Sequence, residues 1–254
     1  AEYDALFLRQ TTYVNGPTYR LARRAATEGL VVIDDPTSIL RCSNKVFLAE
    51  LFERNKIPQP RSFVAHADNV GEIANAVGLP CVLKRPDSAF SMGVVRADTE
   101  EELREKAKHF LEDSELVVAQ EFAPSDFDWR IGVLDGKALF ACRYHMARGH
   151  WQIMNTREKG SKRYGRVEAV PLDQAPADAV AIGGRAASLI GDGLYGVDIK
   201  ETNGRFLTME VNDSPNIETE EEDAIIGDAL YLAVMQWFRD RLDKRGANGG
   251  PRSG

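Results

Sequence analysis

Hydrophobic and polar residues alternate most regularly over residues 193–218, near the C-terminal end of the chain. The alternation predicts two β-strands, at about Tyr195–Glu201 and Phe206–Asn212, joined by a turn at Asn203-Gly204. Successive side chains of a strand point to opposite faces, so the pattern predicts one apolar and one acidic face. The apolar face carries Val197, Ile199, Met209 and Val211, and the acidic face carries Asp198, Glu210 and Asn212.

The length of the turn decides whether the two carboxylates share a face. A two-residue loop at Asn203-Gly204 would place Asp198 and Glu210 on opposite faces. A three-residue loop, which adds Thr202, places Asp198 opposite Thr208 and brings the two carboxylates together. Because a three-residue loop with a left-handed glycine is a common hairpin form, we expect this longer loop.

An acidic face of this kind suits a bound divalent cation. Two carboxylates and an amide oxygen repel one another unless a cation lies between them. Oxygen ligands without His or Cys suit Mg²⁺, which takes a few carboxylates together with phosphate oxygens. The alternative is an acidic face solvated by water, and the spacing alone leaves both interpretations open.

The hydrophobic pattern elsewhere predicts alternating helices and strands. Lys84 ends the buried strand Cys81–Lys84, directly before a loop rich in small residues that resembles an anion-binding loop, although a simple turn is the alternative. In that loop Ser88, Ser91 and Gly93 would let backbone N–H groups approach phosphate oxygens. Further helices are expected at 44–55, 70–77, 99–111, 176–190 and 219–238, and further strands at 116–122, 128–133 and 138–144.

The two ends of the chain and one internal segment stand apart from this pattern. Residues 1–40 form one β-α-β piece that is too small to hold a core, and the chain begins at Ala1 rather than Met. We interpret 1–40 as the remnant of a larger preceding domain, the alternative being an ordinary N-terminal edge.

Residues 146–166 are strongly basic, and they meet a phosphate or carboxylate substrate or form a solvated loop. Their basic side chains are Arg148, Arg157, Lys159, Lys162, Arg163 and Arg166.

Composition excludes several classes of protein. The 254 residues carry a net charge of −7, which argues against bulk nucleic-acid binding. No apolar run approaches the roughly 20 residues of a membrane span, so we expect no membrane partner. The three cysteines are scattered and indicate neither a disulfide framework nor a zinc site. A cytoplasmic location is the prediction.

In this order the motifs resemble the ATP-grasp superfamily, and within it the RimK-like α-L-glutamate ligases, over about residues 35–240. The resemblance implies an α+β fold of two lobes, 41–119 and 120–242, with the nucleotide between them. The end of the chain, 243–254, is rich in Gly, Arg and Ser, and this composition predicts a disordered tail. It rests on Ser43-Asn44-Lys45, Ile57-Pro58-Gln59-Pro60, Val82-Leu83-Lys84, Gln120-Glu121-Phe122 and Asp128-Trp129-Arg130, and most specifically on Gly196-Val197-Asp198 and Glu210-Val211-Asn212-Asp213-Ser214-Pro215.

The resemblance also implies roles for these residues. Lys45 and Lys84 would bind phosphates, with Ser88, Ser91 and Gly93 folded over them. The nucleotide would further contact Gln120, Glu121, Phe122 and Ala123 at adenine, Asp128 at ribose, and Asn155. Asp198, Glu210 and Asn212 would hold one or two Mg²⁺ ions, Mn²⁺ being an alternative, while Arg130 and Lys84 would act on the acyl phosphate.

The activity that the resemblance implies is ATP-dependent carboxylate–amine ligation through an acyl phosphate, for example of glutamate to a peptide or small acceptor. No protein nucleophile is required. The alternatives are a nucleotide-binding module without ligase activity, and a phosphotransferase whose acceptor would be His145 or His150. A homo-oligomer is compatible with the sequence, which names neither the carboxylate nor the amine.

Three departures from the family pattern are visible. Asn216 stands where the family has glycine, which is mild because Asn tolerates a left-handed backbone. The segment Trp151–Asn155 lacks the family's arginine before the asparagine, and Arg157 or Lys159 is the candidate replacement. The third departure is the short N-terminal piece, which would leave the acceptor site incomplete.

Overall fold

The computed structural model describes residues 2–87 and 93–248, and the predicted phosphate-loop residues Ser88 and Ser91 lie outside that range. The described residues form three β-sheets, of two, five and four strands. The mixed α+β architecture confirms the predicted fold class.

The N-terminal piece is the predicted β-α-β unit. Strands β1 (Ala5–Phe7) and β2 (Val31–Ile33) pair in parallel, and helix α1 (Pro17–Thr27) connects them. Helix α2 (Pro36–Ser43) follows and was not predicted. Its N-terminus is capped by the Asp35 carboxylate, which accepts hydrogen bonds from two backbone N–H groups.

The smaller lobe is built on a four-stranded antiparallel sheet in the order β3-β6-β4-β5. Helix α5 begins after Thr99, whose hydroxyl accepts from the Glu102 N–H, and it packs on the sheet with helix α4. The strands are β3 (Ser62–Ala65), β4 (Cys81–Lys84), β5 (Val94–Ala97) and β6 (Val117–Glu121), and the helices are α4 (Ile73–Val77) and α5 (Glu100–Asp113).

The larger lobe is a five-stranded antiparallel sheet in the order β11-β10-β7-β8-β9, with β9 not predicted from the sequence. Two helices cover its two faces, α6 on the side of Ile131 and Val197, and α7 on the side of Leu194. The strands are β7 (Phe127–Leu134), β8 (Lys137–His145), β9 (Val167–Val170), β10 (Leu194–Thr202) and β11 (Arg205–Asn212), and the helices are α6 (Ala177–Ser188) and α7 (Asp228–Asn248).

Helix α3 (Lys45–Arg54) lies in the part of the chain predicted to belong to the first lobe, but it packs on the larger lobe. Asn44 caps it by accepting from the Phe47 N–H at 2.9 Å. Leu48 and Phe52 are buried in the same core as Trp129 of the five-stranded sheet, so α3 packs on the larger lobe. The predicted lobe boundaries in the chain remain a prediction.

The turn of the C-terminal hairpin differs from the expected one. Thr202 pairs with Arg205, so the loop has two residues and the expectation of a three-residue loop was wrong. Asn203 has φ +50° and Gly204 has φ +71°, the left-handed conformation that such a short turn requires.

A β-bulge at Met209 restores the shared acidic face. Ile199 pairs with Thr208, but the next pair is Asp198 with Glu210, so Met209 is an extra residue on β11. The extra residue cancels the shift that the short loop introduces. Met209 itself leaves the apolar face assigned to it and lines a narrow cavity beside Lys84 and Gln120.

The predicted closing helix begins later than expected. Residues 219–227 form turns, and α7 starts at Asp228. The acidic run was interpreted as a helix N-terminus, but two of its side chains fold back onto backbone N–H groups of the same segment. Helix α7 reaches Asn248, into the segment expected to be disordered, and residues 249–254 lie outside the described range.

The left-handed turn gives a stability prediction. Gly204→Ala should destabilise the fold by about 1 kcal/mol, because alanine resists positive φ although open space surrounds its Cβ. Gly246→Ala, also in open space but within α7, should instead stabilise by roughly 0.5–1 kcal/mol. Urea unfolding of the two variants measures both changes, and equal signs would contradict the assigned turn.

Candidate functional site

A buried ion pair forms the centre of the candidate site. Asp198 of β10 lies directly opposite Arg130 of β7 in the sheet register. Nε of Arg130 donates to Oδ1 of Asp198 at 2.7 Å and Nη2 donates to Oδ2 at 2.8 Å, a bidentate arrangement. Both residues are buried, with 8% and 7% of their surfaces exposed. Gly196 makes room for this pair, because a Cβ there would lie 2.9 Å from Pro215 and 3.4 Å from Cδ of Arg130.

The two predicted metal-ligating carboxylates lie side by side on this face. Asp198 pairs with Glu210, and Nδ2 of Asn212 donates to Oδ2 of Asp198 at 3.1 Å. Burial raises the pKa of Asp198 to about 6 against the opposing effect of Arg130, and the neighbouring Glu210 charge adds to the rise. The structure therefore brings together all three residues that the sequence assigned to a metal.

Two lysines, Lys45 and Lys84, place positive charge near Glu210. Lys84 ends β4 of the smaller sheet, and Lys45 begins α3. Burial would raise the pKa of Glu210, but Lys45 and Lys84 together hold it below its usual value. Burial lowers the pKa of Lys84 to about 8, although Glu210 opposes this change. The site therefore lies where the smaller sheet meets the hairpin of the larger one.

Asp128, expected at the ribose, is held by groups of its own lobe. Nζ of Lys200, which lies opposite it on β10, forms an ion pair with Oδ1, and the Ser125 hydroxyl donates to the same oxygen at 3.2 Å. Sequence reasoning missed Lys200. The strand alternation could have found it, because it lies two residues beyond Asp198 and therefore on the same face.

Gln120 lines the same narrow cavity as Met209, Lys45 and Lys84. Its Nε2 donates to the Ser62 hydroxyl at 2.9 Å, while its Oε1 is buried and has no partner among the described residues. An orphaned buried acceptor is costly, so this oxygen suits a ligand that donates an N–H or O–H group.

The backbone at the end of β6 offers less to a ligand than expected. The Glu121 N–H donates to the carbonyl of Arg61 at 2.9 Å, and the Phe122 N–H donates to that of Pro80 at 3.2 Å. The Ala123 N–H donates to no group in the described part of the chain. It is therefore the backbone donor of this segment that remains for an adenine edge.

Asn155 lies in the basic segment, away from a direct contact with the carboxylates in the described hydrogen bonds. Its side-chain oxygen accepts from the Arg157 N–H at 3.1 Å and closes a local turn. A bridge between Met154 and Tyr164 folds the segment back on itself. Arg157 and its basic neighbours at 159 and 162 are exposed.

The donor set fits a divalent cation completed by phosphate oxygens. No group of three His, Cys, Asp or Glu side chains suited to a metal occurs within residues 2–87 and 93–248. Magnesium, however, commonly takes one or two carboxylates and leaves its other positions to phosphates and water. Oδ1 of Asp198 accepts one N–H of Arg130 and keeps a second lone pair for a ligand, whereas Oδ2 accepts from both Arg130 and Asn212.

The fold is that of the ATP-grasp ligases. The structure superimposes on D-alanine–D-alanine ligase from Bacillus anthracis with a TM-score of 0.75 at 17% identity, over 96% of this chain and 82% of the other. A RimK domain ATP-grasp protein from Sphaerobacter thermophilus gives a TM-score of 0.69 at 18% identity, over 92% and 80%. At these identities the likeness establishes the fold.

Sequence comparison identifies the family within the ATP-grasp ligases. The sequence model of the RimK-like ATP-grasp domain matches residues 42–234, and the chain belongs to that family. It is thus an ATP-dependent carboxylate–amine ligase by family, as predicted. Probable α-L-glutamate ligases of Vibrio vulnificus (strain YJ016) and Pseudoalteromonas atlantica are each 28% identical to it over 221 residues, 85% of this chain and 70% of theirs. Within the described residues, every helix is too short or too polar to cross a bilayer.

Proposed function

We propose that this chain uses ATP and Mg²⁺ to join an amino acid, with glutamate as the first candidate, to a peptide or small carboxylate acceptor. The observation that carries the proposal is the meeting of Lys45 and Lys84 with Glu210, beside the buried ion pair of Arg130 and Asp198. The glutamate-ligase names of the relatives support the choice of amino acid.

The lysines are assigned to the phosphates of ATP. Lys84 is buried and partly stripped of water, so its charge is poorly compensated until an anion arrives. Lys45 lies at the N-terminus of α3, where the helix dipole also favours an anion. Together they would hold the phosphate chain beside Glu210.

The acidic face is assigned to the metal. Asp198, Glu210 and Asn212 would hold one or two Mg²⁺ ions against the phosphates. A bound Mg²⁺ supplies charge neutralisation at the transferring phosphoryl group. The residues themselves fix its position, because the hairpin pairing and the Arg130 ion pair immobilise the Asp198 carboxylate.

Arg130 is assigned to the acyl phosphate. The substrate carboxylate attacks the γ-phosphorus of ATP and forms the acyl phosphate and ADP. An amine then attacks the carbonyl carbon, the amide bond forms, and inorganic phosphate leaves. The guanidinium would stabilise the negative charge that develops on the phosphoryl oxygens, which requires a fixed and desolvated cation rather than a protein nucleophile.

The adenine and acceptor ends of the site remain to be assigned. We assign the free acceptor Oε1 of Gln120 and the Ala123 N–H to the adenine edge, because a purine amino group donates and a ring nitrogen accepts. Arg157, Lys159 and Lys162 are assigned to acceptor carboxylates, since they are exposed and positively charged.

Calorimetric titration with a nonhydrolysable ATP analogue, with and without Mg²⁺, tests the nucleotide site. Lys84→Met should weaken binding by about 10–100-fold, as expected for one lost charged hydrogen bond. Lys137→Met, a change of the same chemistry at an exposed position on β8, should leave affinity unchanged. Amino acids would then be screened by phosphate release, and Mg²⁺-dependent binding without release would instead support a nucleotide-binding module.

The same variant has an effect on pH dependence. Because the pKa of Lys84 falls from 10.5 to about 8 on folding, the unfolded chain binds more protons between those values. Stability attributable to this group is therefore lowest below pH 8 and rises as pH approaches 10.5, by up to about 3 kcal/mol. Unfolding at several pH values should show that Lys84→Met loses this rise, and an unchanged profile would contradict the burial effect.

A further inference from the structure

The turns between β11 and α7 contain a buried carboxylate that the proposed reaction does not use. Glu222 has only 1% of its surface exposed. Its Oε1 accepts from the Tyr144 hydroxyl, and its Oε2 accepts from the Glu218 N–H at 2.7 Å. Among the ion pairs of the described residues, none involves Glu222, so two uncharged donors hold this buried charge.

Tyr144 connects that carboxylate to the reaction centre. Cζ of Arg130 lies 4.4 Å from the centroid of the Tyr144 ring. The guanidinium is therefore fixed twice, in its plane by Asp198 and over its face by the ring. Burial and the Glu222 charge raise the pKa of Tyr144, so the hydroxyl remains a donor to Glu222.

We propose that Glu222 and Tyr144 are positioning residues for Arg130: the hydrogen bond between them holds the ring against the guanidinium and keeps it aimed at the transferring phosphoryl group. The second half of this statement rests on the proposed function, while the first half concerns the fold alone.

A second tyrosine–carboxylate bond in the same turns supplies a matched control. The Tyr231 hydroxyl donates to Oδ2 of Asp223 at 3.0 Å, and Oδ1 of Asp223 accepts from the Glu220 N–H at 2.7 Å. The arrangement copies that of Glu222, but no described cation–π contact joins Tyr231 to an arginine. Tyr231→Phe therefore removes a bond of the same chemistry away from Arg130, at a less buried tyrosine.

The first experiment measures Arg130 without turnover. Hydrogen exchange of its Nε–H, which Asp198 accepts at 2.7 Å, can be followed by ¹⁵N NMR and identified by its loss in Arg130→Lys. We expect exchange at least tenfold faster in Tyr144→Phe and in Glu222→Leu, which can no longer accept from the hydroxyl, and unchanged in Tyr231→Phe. Unchanged exchange in the first two, or equal acceleration in all three, would overturn the proposal.

The second experiment measures the consequence for the reaction. In full-length protein, Tyr144→Phe should lower kcat for ADP formation by about 10–100-fold while KM for ATP stays within about twofold. Tyr231→Phe should keep both parameters, whatever it does to the melting temperature. Normal kcat in Tyr144→Phe with accelerated exchange would overturn the link to the reaction. If wild-type protein forms no ADP with any amino acid, the proposed function fails, and the exchange experiment still decides the positioning.

Discussion

Arg130→Met should lower ADP formation by about 10³-fold or more, because it removes the fixed cation assigned to the developing phosphoryl charge. It should also destabilise the fold by about 3–5 kcal/mol, since Asp198 would be left buried without its partner. Steady-state kinetics and urea unfolding measure the two effects. The rate of ADP formation and the free energy of unfolding change for different reasons. The rate falls because the transition state loses a cation, whereas the stability falls because a buried carboxylate loses its partner.

Two further variants separate these effects. Arg166→Met removes an exposed arginine whose 2.9 Å contact with Glu168 is at the surface, and should change stability by less than about 1 kcal/mol. Combining Arg130→Met with Asp198→Asn should recover part of the lost stability, because the buried charge is gone, but none of the activity. Recovery of activity in the double variant would show that Arg130 only neutralises Asp198.

The local patterns that sequence reasoning uses were sufficient for most strands and helices. Strand β4 was predicted with its observed ends, and the helix caps at Asn44 and Thr99 act as those residue types indicate. Helix α2 was missed because its eight residues are too few for a clear hydrophobic period, although the Asp35-Pro36 start is a typical helix N-terminus.

The hairpin shows a different limit. The Asn203-Gly204 sequence favours a two-residue loop, and the convergence of Asp198 and Glu210 favours an odd register, so the two arguments conflict. The structure satisfies both through the bulge at Met209, which no alternation pattern announces. The convergence of Asp198 and Glu210 on one face was therefore predictable, whereas the backbone geometry that produces it was not.

The contacts around Arg130 show why sequence reasoning did not find Tyr144 and Glu222. Glu222 is far from Arg130 in the chain, while Tyr144 lies on the neighbouring strand β8, two residues beyond the residue opposite Arg130. The acidic run that contains Glu222 also fits an ordinary helix N-terminus, and only tertiary contacts reveal that one of its carboxylates is buried. Residues that act through another side chain leave little trace in sequence periodicity.

Glu210→Gln should abolish Mg²⁺-dependent turnover while leaving nucleotide binding without Mg²⁺ largely intact. The amide keeps the size of the side chain but removes the charge that faces Lys45 and Lys84. In calorimetry, the added affinity that Mg²⁺ confers on the ATP analogue should disappear, and kcat should fall by about 10³-fold, as for other lost charge-stabilising groups.

Glu201→Gln in the same hairpin is the matched control for Glu210→Gln. Its carboxylate accepts from Nε1 of Trp129 at 3.1 Å, and a glutamine oxygen can accept the same bond, so metal dependence should be normal. If Glu210→Gln instead kept its response to Mg²⁺, the acidic face would be a charge partner for the lysines alone. Arg130 and the two lysines would then be the protein groups that neutralise the charge of the phosphates, and the cation would bind elsewhere on the nucleotide.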